Sequence, residues 1–370
     1  MTLVDESDAL HARVRAYARA PRHSSAEFEQ LALDIAHFQA RHNAGFARLV
    51  ERHGSALRTV GEIPAVPVEA FRLTRVAVHP PELDEVRFET SGTTHEARGM
   101  HVMRTTQTYR RVALQFGRPA LLGEHARATV VALAPVPGDP CSSSLGFMML
   151  AMMEDFDARA LTRAAEEPFQ ARAAERWLFD DQGVNVQALQ HAAEVARERA
   201  EPLLLLATSF ALVASLDALA GARIELPPHS AIMQTGGFKG RSREIEASQL
   251  RAAVATAFGV HEDQIVNEYG MTELTSQLYA RGPAPFTAPS WLRVDAVNPD
   301  DLQPLPEGEL GLARFIDLGN VDSAVSVVTQ DLIRVRDGSV ELRGRAPGAP
   351  ARGCSLAVED LLLSSAGNRD

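Results

Sequence analysis

Leu203-Leu204-Leu205-Leu206-Ala207, Ala231-Ile232-Met233-Gln234 and Gln264-Ile265-Val266-Asn267 are three short apolar runs that decide the architecture of this chain. Each has the length of a buried strand. Between them, Phe210 to Leu219, ended by Gly221, and Glu244 to Phe258 have helical length and spacing. Strand and helix alternating in this way imply right-handed crossovers and a mostly parallel sheet, hence an α/β fold. Ligands in such sheets sit beyond the carboxyl ends of the strands. Thr235-Gly236-Gly237 and Tyr269-Gly270-Met271-Thr272-Glu273 fall there.

Upstream, Ala128 to Ala134 reads as a further strand, closed by Pro135 and Pro137, and Val86 to Glu89 as one leading into Thr90-Ser91-Gly92-Thr93-Thr94. That loop is rich in hydroxyls, turns at Gly92 and reaches Arg98. Backbone N–H groups, the hydroxyls and the guanidinium together suit phosphate. An ordinary Ser/Thr/Gly turn is the competing reading, and no Walker pattern is present. In the downstream motif, the Tyr269 ring offers a flat face to a base, the Thr272 hydroxyl a phosphate donor and the Glu273 carboxylate a hard ligand for Mg²⁺.

Towards the N-terminus, Ser24 and Glu27 form a capping box for a helix with Phe28, Leu31, Ala32, Ile35 and Phe38 on one face. It is expected to run through His42-Asn43 towards Val50, before the prolines of Ile63-Pro64-Ala65-Val66-Pro67 forbid regular helix. Residues 1–78 thus read as a helical cap, 79–225 as a first α/β subdomain with the phosphate loop, 226–288 as a second α/β segment and 289–370 as a small β subdomain with a tail. Trp291-Leu292-Arg293-Val294 and Gly311 to Phe315 alternate as strands of that subdomain. The longest apolar run, Gly146 to Met153, is too short to span a bilayer. Phe147, Met148, Met149 and Met152 in and around it suit either an adaptable apolar substrate channel or plain core packing.

A formal charge of −11 excludes a broad nucleic-acid or anionic-membrane surface while leaving room for a local nucleotide site. Apolar content of 45% and charged content of 23% are those of a soluble globular chain. With two cysteines, Cys141 and Cys354, and no secretion signal, a reducing cytoplasm is expected. Lys239 is the only lysine in an arginine-rich chain, which suggests a position where a compact ammonium serves and a planar guanidinium does not. Neither a zinc pattern nor a G-x-S-x-G elbow occurs. Arg345 and Arg352 flank Cys354 in sequence, and such cations raise the thiolate fraction, although a buried inert thiol is equally consistent with the residues.

With Gln234-Thr235-Gly236-Gly237-Phe238-Lys239-Gly240 and Thr329-Gln330-Asp331-Leu332 added, four motifs in order resemble those of adenylate-forming enzymes. More closely, the chain resembles the bacterial acyl-protein synthetases (LuxE-like), a short branch of that superfamily. Phe28-x-x-Leu31-Ala32-Leu33 with Gln39 and His42-Asn43, Ile63 to Phe71, and the ending from Gly344-Arg345 to Arg352-Gly353-Cys354-Ser355-Leu356 carry this resemblance.

It implies the large domain of an adenylate-forming enzyme without its C-terminal lid: α/β subdomains, a helical cap and a small β subdomain. It also implies ATP and Mg²⁺ as reactants, a fatty acid as substrate, thioester formation on Cys354, and a partner acyl-CoA reductase-type protein, with oligomers possible. On the same basis Thr90, Ser91, Gly92, Thr93, Thr94 and Arg98 would hold the β- and γ-phosphates. Gly236, Gly237 and Tyr269 would frame the adenine, Gly270 would belong to the same nucleotide site, Thr272 would touch the α-phosphate and Glu273 would ligate Mg²⁺. Asp331 would accept from the ribose hydroxyls, Arg345 would lie near the ribose or hinge, and Lys239 would offset charge at the reacting carboxylate. His95 and Gln330 depart from the superfamily pattern. Two other functions stay open: adenylation of an aryl or other small acid for a different acceptor, and a non-catalytic nucleotide-binding subunit of a reductase complex.

Overall fold

The computed structural model describes residues 2–90, 98–138, 140–157, 174–236 and 246–347. They form two compact units. One contains residues 2–90, 98–115, 270–278 and 285–347, and the other residues 116–138, 140–157, 174–236, 246–269 and 279–284.

The second unit is built on the three apolar runs. Strands Thr129–Leu133, Leu203–Thr208, Ala231–Thr235 and Ile265–Tyr269 pair in parallel in that spatial order, with Leu204 opposite Ala231 and Thr235 opposite Glu268. Helices Val186–Glu198, Ser209–Leu219 and Ala247–Phe258 cover one face. Their core joins Val131, Leu133, Leu205, Ile232, Ile265 and Phe258, all completely buried. At about 25 cal/mol per Å² of apolar surface removed from water, burying such side chains stabilises by roughly 2 kcal/mol each. The Thr208 hydroxyl accepts from the Ala211 N–H at 3.1 Å and opens the second of these helices. Helix Ser144–Phe156 packs against the Thr129–Leu133 strand, yet contributes none of its buried side chains to that core.

The first unit is antiparallel. Strands Leu292–Val297, Gly311–Asp317, Ser326–Arg336 and Ser339–Arg345 form a meander, and Val66–Pro67 adds a parallel pairing at Val327 and Val328. A separate hairpin joins Val86–Glu89 to Met100–Met103, with Glu89 opposite Met100. Helices Leu3–Arg19 and Ser25–His42 dock on the turn that follows Asp317. Gln39 donates to the carbonyls of Asn320 at 2.7 Å and Val321 at 2.9 Å, and accepts from the Val325 N–H at 3.0 Å. Ser7 and His11 bond the two oxygens of Asp322 at 2.5 and 3.0 Å. Burial opposes ionisation of Asp322, but the bonds from His11 and Ser7 and the nearby Arg104 hold its carboxyl below the ordinary value.

One helix differs from expectation. The helix from Ser25 stops at His42 instead of running on towards Val50. Asn43 is extended, and its side-chain oxygen accepts from the N–H groups of Gly45 and Phe46 at 2.9 and 3.0 Å, starting a new helix, Ala44–Arg52. A short amide side chain competes for backbone N–H groups, so capping prevails over continuation. No helix among the described residues is long and apolar enough to cross a membrane.

Candidate functional site

In the first unit the hairpin Val86–Glu89/Met100–Met103 delivers the base of the hydroxyl-rich loop. Thr90 N–H donates to the Gly99 carbonyl at 2.8 Å, and Gly99 N–H donates to the Thr90 hydroxyl oxygen at 2.8 Å. The Thr90 O–H proton is therefore directed away from Gly99. Exposed Arg98 pairs with half-buried Glu89 at 2.8 Å, and a surface ion pair of this kind is weak enough for a more strongly charged partner to replace the carboxylate. Ser91, Gly92, Thr93, Thr94 and His95 lie outside the described residues.

The Gly270–Glu273 motif meets this hairpin within the same unit. Thr272 donates from its hydroxyl to the Glu89 carbonyl at 3.5 Å, the outer limit of a hydrogen bond, and accepts at its own carbonyl from His101 Nδ1 at 2.6 Å. His101 Nε2 bonds the Ser323 hydroxyl at 2.9 Å. Burial drives the imidazole pKa down to about 4, although the bond to Thr272 works the other way. Glu273 is buried, and its carbonyl accepts from Asn320 Nδ2 at 2.9 Å. Directly after it, Asp317 accepts from the N–H groups of Thr275, Ser276 and Gly319, each at 2.9 Å, and from the hydroxyls of Thr275 and Ser276 at 3.1 and 2.7 Å. Gly319 is compelled by close approach, since a Cβ there would lie 2.0 Å from the Thr275 hydroxyl oxygen. The turn 317–325 thus holds both the helical cap and the acidic motif.

Asp331 and Arg345 are cross-strand partners, with Nε 3.1 Å from the carboxylate. Both side chains are one-sixth exposed or less.

The second unit presents Gly236 and Tyr269 at neighbouring strand ends, as the parallel register requires. Gly236 has φ of 72°, the left-handed region, and leads the chain off the sheet where a side chain would be strained. Gly237 and Lys239 lie outside the described residues. Met148, Met149 and Met152 are buried in the Ser144–Phe156 helix, and Phe147 is half-buried. The Met152 methyl and the Tyr279 hydroxyl close over Gly117, 2.9 and 3.1 Å from where its Cβ would be.

The two cysteines differ. Cys141 is half-buried, donates to the Ser143 carbonyl at 3.2 Å, and burial pushes its thiol pKa up, the opposite of an activated nucleophile. Cys354 lies outside the described residues.

Three residues escaped the sequence reading. His101 and Asp317 act on partners 171 and 42 positions away, and nothing local marks them. Glu268 directly precedes the Tyr269–Glu273 motif, at the end of its strand. It is 6% exposed and bonded to the Thr235 hydroxyl, and burial pushes its carboxyl up to about 7 despite that bond. Its signal was a charged residue in the last turn of a buried strand.

Comparison with known proteins bears on these groups. The sequence matches the family described as acyl-protein synthetase, LuxE, over residues 55–362. It is similar to the long-chain-fatty-acid–luciferin-component ligase of Vibrio harveyi, 24% identical over 136 residues, which are 34% of this chain and 36% of that protein. The match therefore spans little more than a third of that relative. Among solved structures, the open conformation of 2-hydroxyisobutyryl-CoA ligase with 2-HIB-AMP and CoA is similar at a TM-score of 0.59 and 13% identity, covering 88% of this chain and 76% of that one. The same ligase in its postadenylation state with 2-HIB-AMP gives 0.59 and 14%, covering 87% and 68%. The fold is that of adenylate-forming ligases.

Proposed function

Because this chain belongs to the acyl-protein synthetase (LuxE) family, we propose that it activates a carboxylic acid with Mg-ATP and passes the acyl group to its own Cys354. In the first half-reaction a carboxylate oxygen attacks the α-phosphorus, the bond to the β-phosphate breaks, and pyrophosphate leaves. In the second, the Cys354 thiolate attacks the acyl carbon and AMP leaves with the electron pair of the broken C–O bond. The thiol proton goes to solvent or a nearby base. A fatty acid is the substrate class that fits the family, and a partner acyl reductase is the destination of the thioester.

One observation carries the adenylation reading. The Thr90–Gly99 closure and the Thr272 backbone converge on Glu89 and His101 within one compact unit, so two hydroxyl-bearing phosphate motifs share a support. Within that unit the residues suit phosphate, since the Thr90 hydroxyl directs its proton away from Gly99 and Thr272 carries a second hydroxyl at the base of the same hairpin. Glu273 would hold Mg²⁺, which supplies charge neutralisation on the phosphates. Lys239 would offset the charge that builds between carboxylate and α-phosphate, where a preorganised donor contributes about 3–4 kcal/mol.

The test is incubation with Mg-ATP and a panel of fatty and aryl acids, followed by intact mass before and after neutral hydroxylamine. Wild type is expected to gain a hydroxylamine-labile acyl mass. Cys354→Ser is expected to release pyrophosphate without gaining it. Pyrophosphate release with no adduct on the wild type would replace Cys354 by a separate acceptor, and no release with any acid would remove adenylation.

A further inference from the structure

Glu268 and Asp317 are two buried carboxyl groups built in opposite ways. Asp317 is surrounded by three N–H groups and two hydroxyls, so each oxygen is occupied. This is how a buried carboxylate is held when its role is structural. Glu268 is 94% removed from solvent with a single hydrogen bond among the described residues, from Thr235 to Oε2, and no cation beside it. Its Oε1 takes no partner there. It is not sealed from solvent either, so a ligand can reach it, and covering it without a donor would cost about 1–3 kcal/mol.

The position of the pair says what could fill it. Thr235 and Glu268 are register partners at the carboxyl ends of adjacent parallel strands, the edge on which open α/β sheets bind ligands. Strand alternation puts them on the face with Met233 and Val266, opposite to the face of Ile232 and Ile265 that the three helices cover. It also turns Glu268 away from the side of the sheet that Tyr269 faces. One residue after each member come Gly236 and Tyr269, which the adenylation reading gives to the adenine. The pair is thus next in sequence to the nucleotide elements but on the opposite face of the strands from Tyr269.

Resting on that adenylation reading, we propose that Glu268, seated on Thr235, accepts a hydrogen bond from a hydroxyl or ammonium group carried near the carboxyl of the acid, so that the substrates are donor-substituted acids in preference to plain alkanoic acids. A site of this kind discriminates mainly by rejection. An acid without the donor leaves Oε1 desolvated and unfilled, a penalty larger than the gain from one more methylene contact. A carboxyl that titrates near 7 suits the role, because it can bind a hydroxyl in either form and an ammonium as the anion.

Butanoic and octanoic acids, each unsubstituted and as the 2-hydroxy, 3-hydroxy and 2-amino derivatives, provide the probes. They are compared by ATP–pyrophosphate exchange and, without ATP, by titration calorimetry, on wild type, Glu268→Gln and Glu268→Leu. Wild type is expected to favour at least one donor-substituted acid over its parent by about tenfold or more in both kcat/KM and Kd. Glu268→Leu should bring that ratio to within about twofold. Glu268→Gln keeps an acceptor oxygen without charge, so it should preserve a preference for hydroxyl and abolish one for ammonium. Equal treatment of parent and substituted acids by wild type overturns the proposal without any variant, as does an undiminished ratio in Glu268→Leu. Should the leucine variant not fold, loss or retention of the ratio in Thr235→Val decides in the same way. Absence of exchange with every acid would count against adenylation, and the calorimetric ratio would still decide the role of Glu268.

Discussion

His101 and Thr272 stand 171 residues apart and are joined by a 2.6 Å hydrogen bond from imidazole Nδ1 to the Thr272 carbonyl. A carbonyl only accepts, so Nδ1 carries the proton and the neutral Nε2 accepts from Ser323. The ring therefore orients the backbone of the acidic motif from the strand that follows the phosphate loop. It is a positioning residue, since neither nitrogen is left for a substrate.

Replacing it tests that role. His101→Leu leaves the Thr272 carbonyl without its donor, and pyrophosphate exchange should fall about 10- to 100-fold. His101→Asn restores a donor near Nδ1 and should recover much of the rate, whereas a purely space-filling role would leave leucine the better substitute.

The depressed pKa of His101 and the raised pKa of Glu268 give opposite pH dependences of stability. For His101, the unfolded ring binds a proton below about 6.5 and the folded ring only near 4. Its contribution is complete above 6.5 and is lost as pH falls towards 4. For Glu268, the folded carboxyl keeps its proton up to about 7 while the unfolded one releases it near 4.5. Its contribution is complete below 4.5 and is lost as pH rises to 7. The two slopes, each up to about 1.4 kcal/mol per pH unit, largely cancel between 4.5 and 6.5. Relative to wild type, Glu268→Gln should gain roughly 3 kcal/mol between pH 4.5 and 7, and His101→Asn should lose its advantage over the same rise. Denaturant titrations at three pH values would show it. A Glu268→Gln curve parallel to wild type would mean that the carboxyl is not raised.

Asp317 supports a different expectation. Asp317→Asn turns an acceptor oxygen into a donor facing N–H and O–H groups, which should cost about 3 kcal/mol and lower the melting temperature. Gly319→Ala should act through the same turn, because the new methyl would overlap the Thr275 hydroxyl. Exchange activity should fall in both at temperatures where they remain folded, since Thr275 and Ser276 continue the Thr272-Glu273 segment. Unchanged melting in either variant would contradict the role assigned to the turn.

The parallel sheet was legible because its strands are buried on both faces and therefore read as unbroken apolar runs, as Leu203 to Ala207 does. Strands Ser326–Arg336 and Ser339–Arg345 were not, since polar and charged residues such as Gln330, Asp331, Arg343 and Arg345 interrupt them and pairing, not hydrophobicity, holds them. The break at Asn43 was hidden by apolar spacing that continues across it. Motif residues were readable because their chemistry is local in sequence. His101, Asp317 and Glu268 acquire meaning only from partners that the fold brings to them.

Asp331 and Arg345 supply the last expectation. Their ion pair spans two antiparallel strands and places a carboxylate beside a guanidinium, and the adenylation reading gives that carboxylate the ribose hydroxyls. If ribose is what it reads, wild type should lose about tenfold in kcat/KM with 2′-deoxy- or 3′-deoxy-ATP, because a charged acceptor then goes unfilled. Asp331→Ala should use ATP about as poorly as wild type uses the deoxy analogues, and should no longer distinguish ATP from them. Asp331→Asn, which keeps one acceptor oxygen, should fall between. The comparison separates recognition from folding, since an Asp331→Ala chain that merely lost stability would still prefer ATP over its deoxy forms by the wild-type ratio.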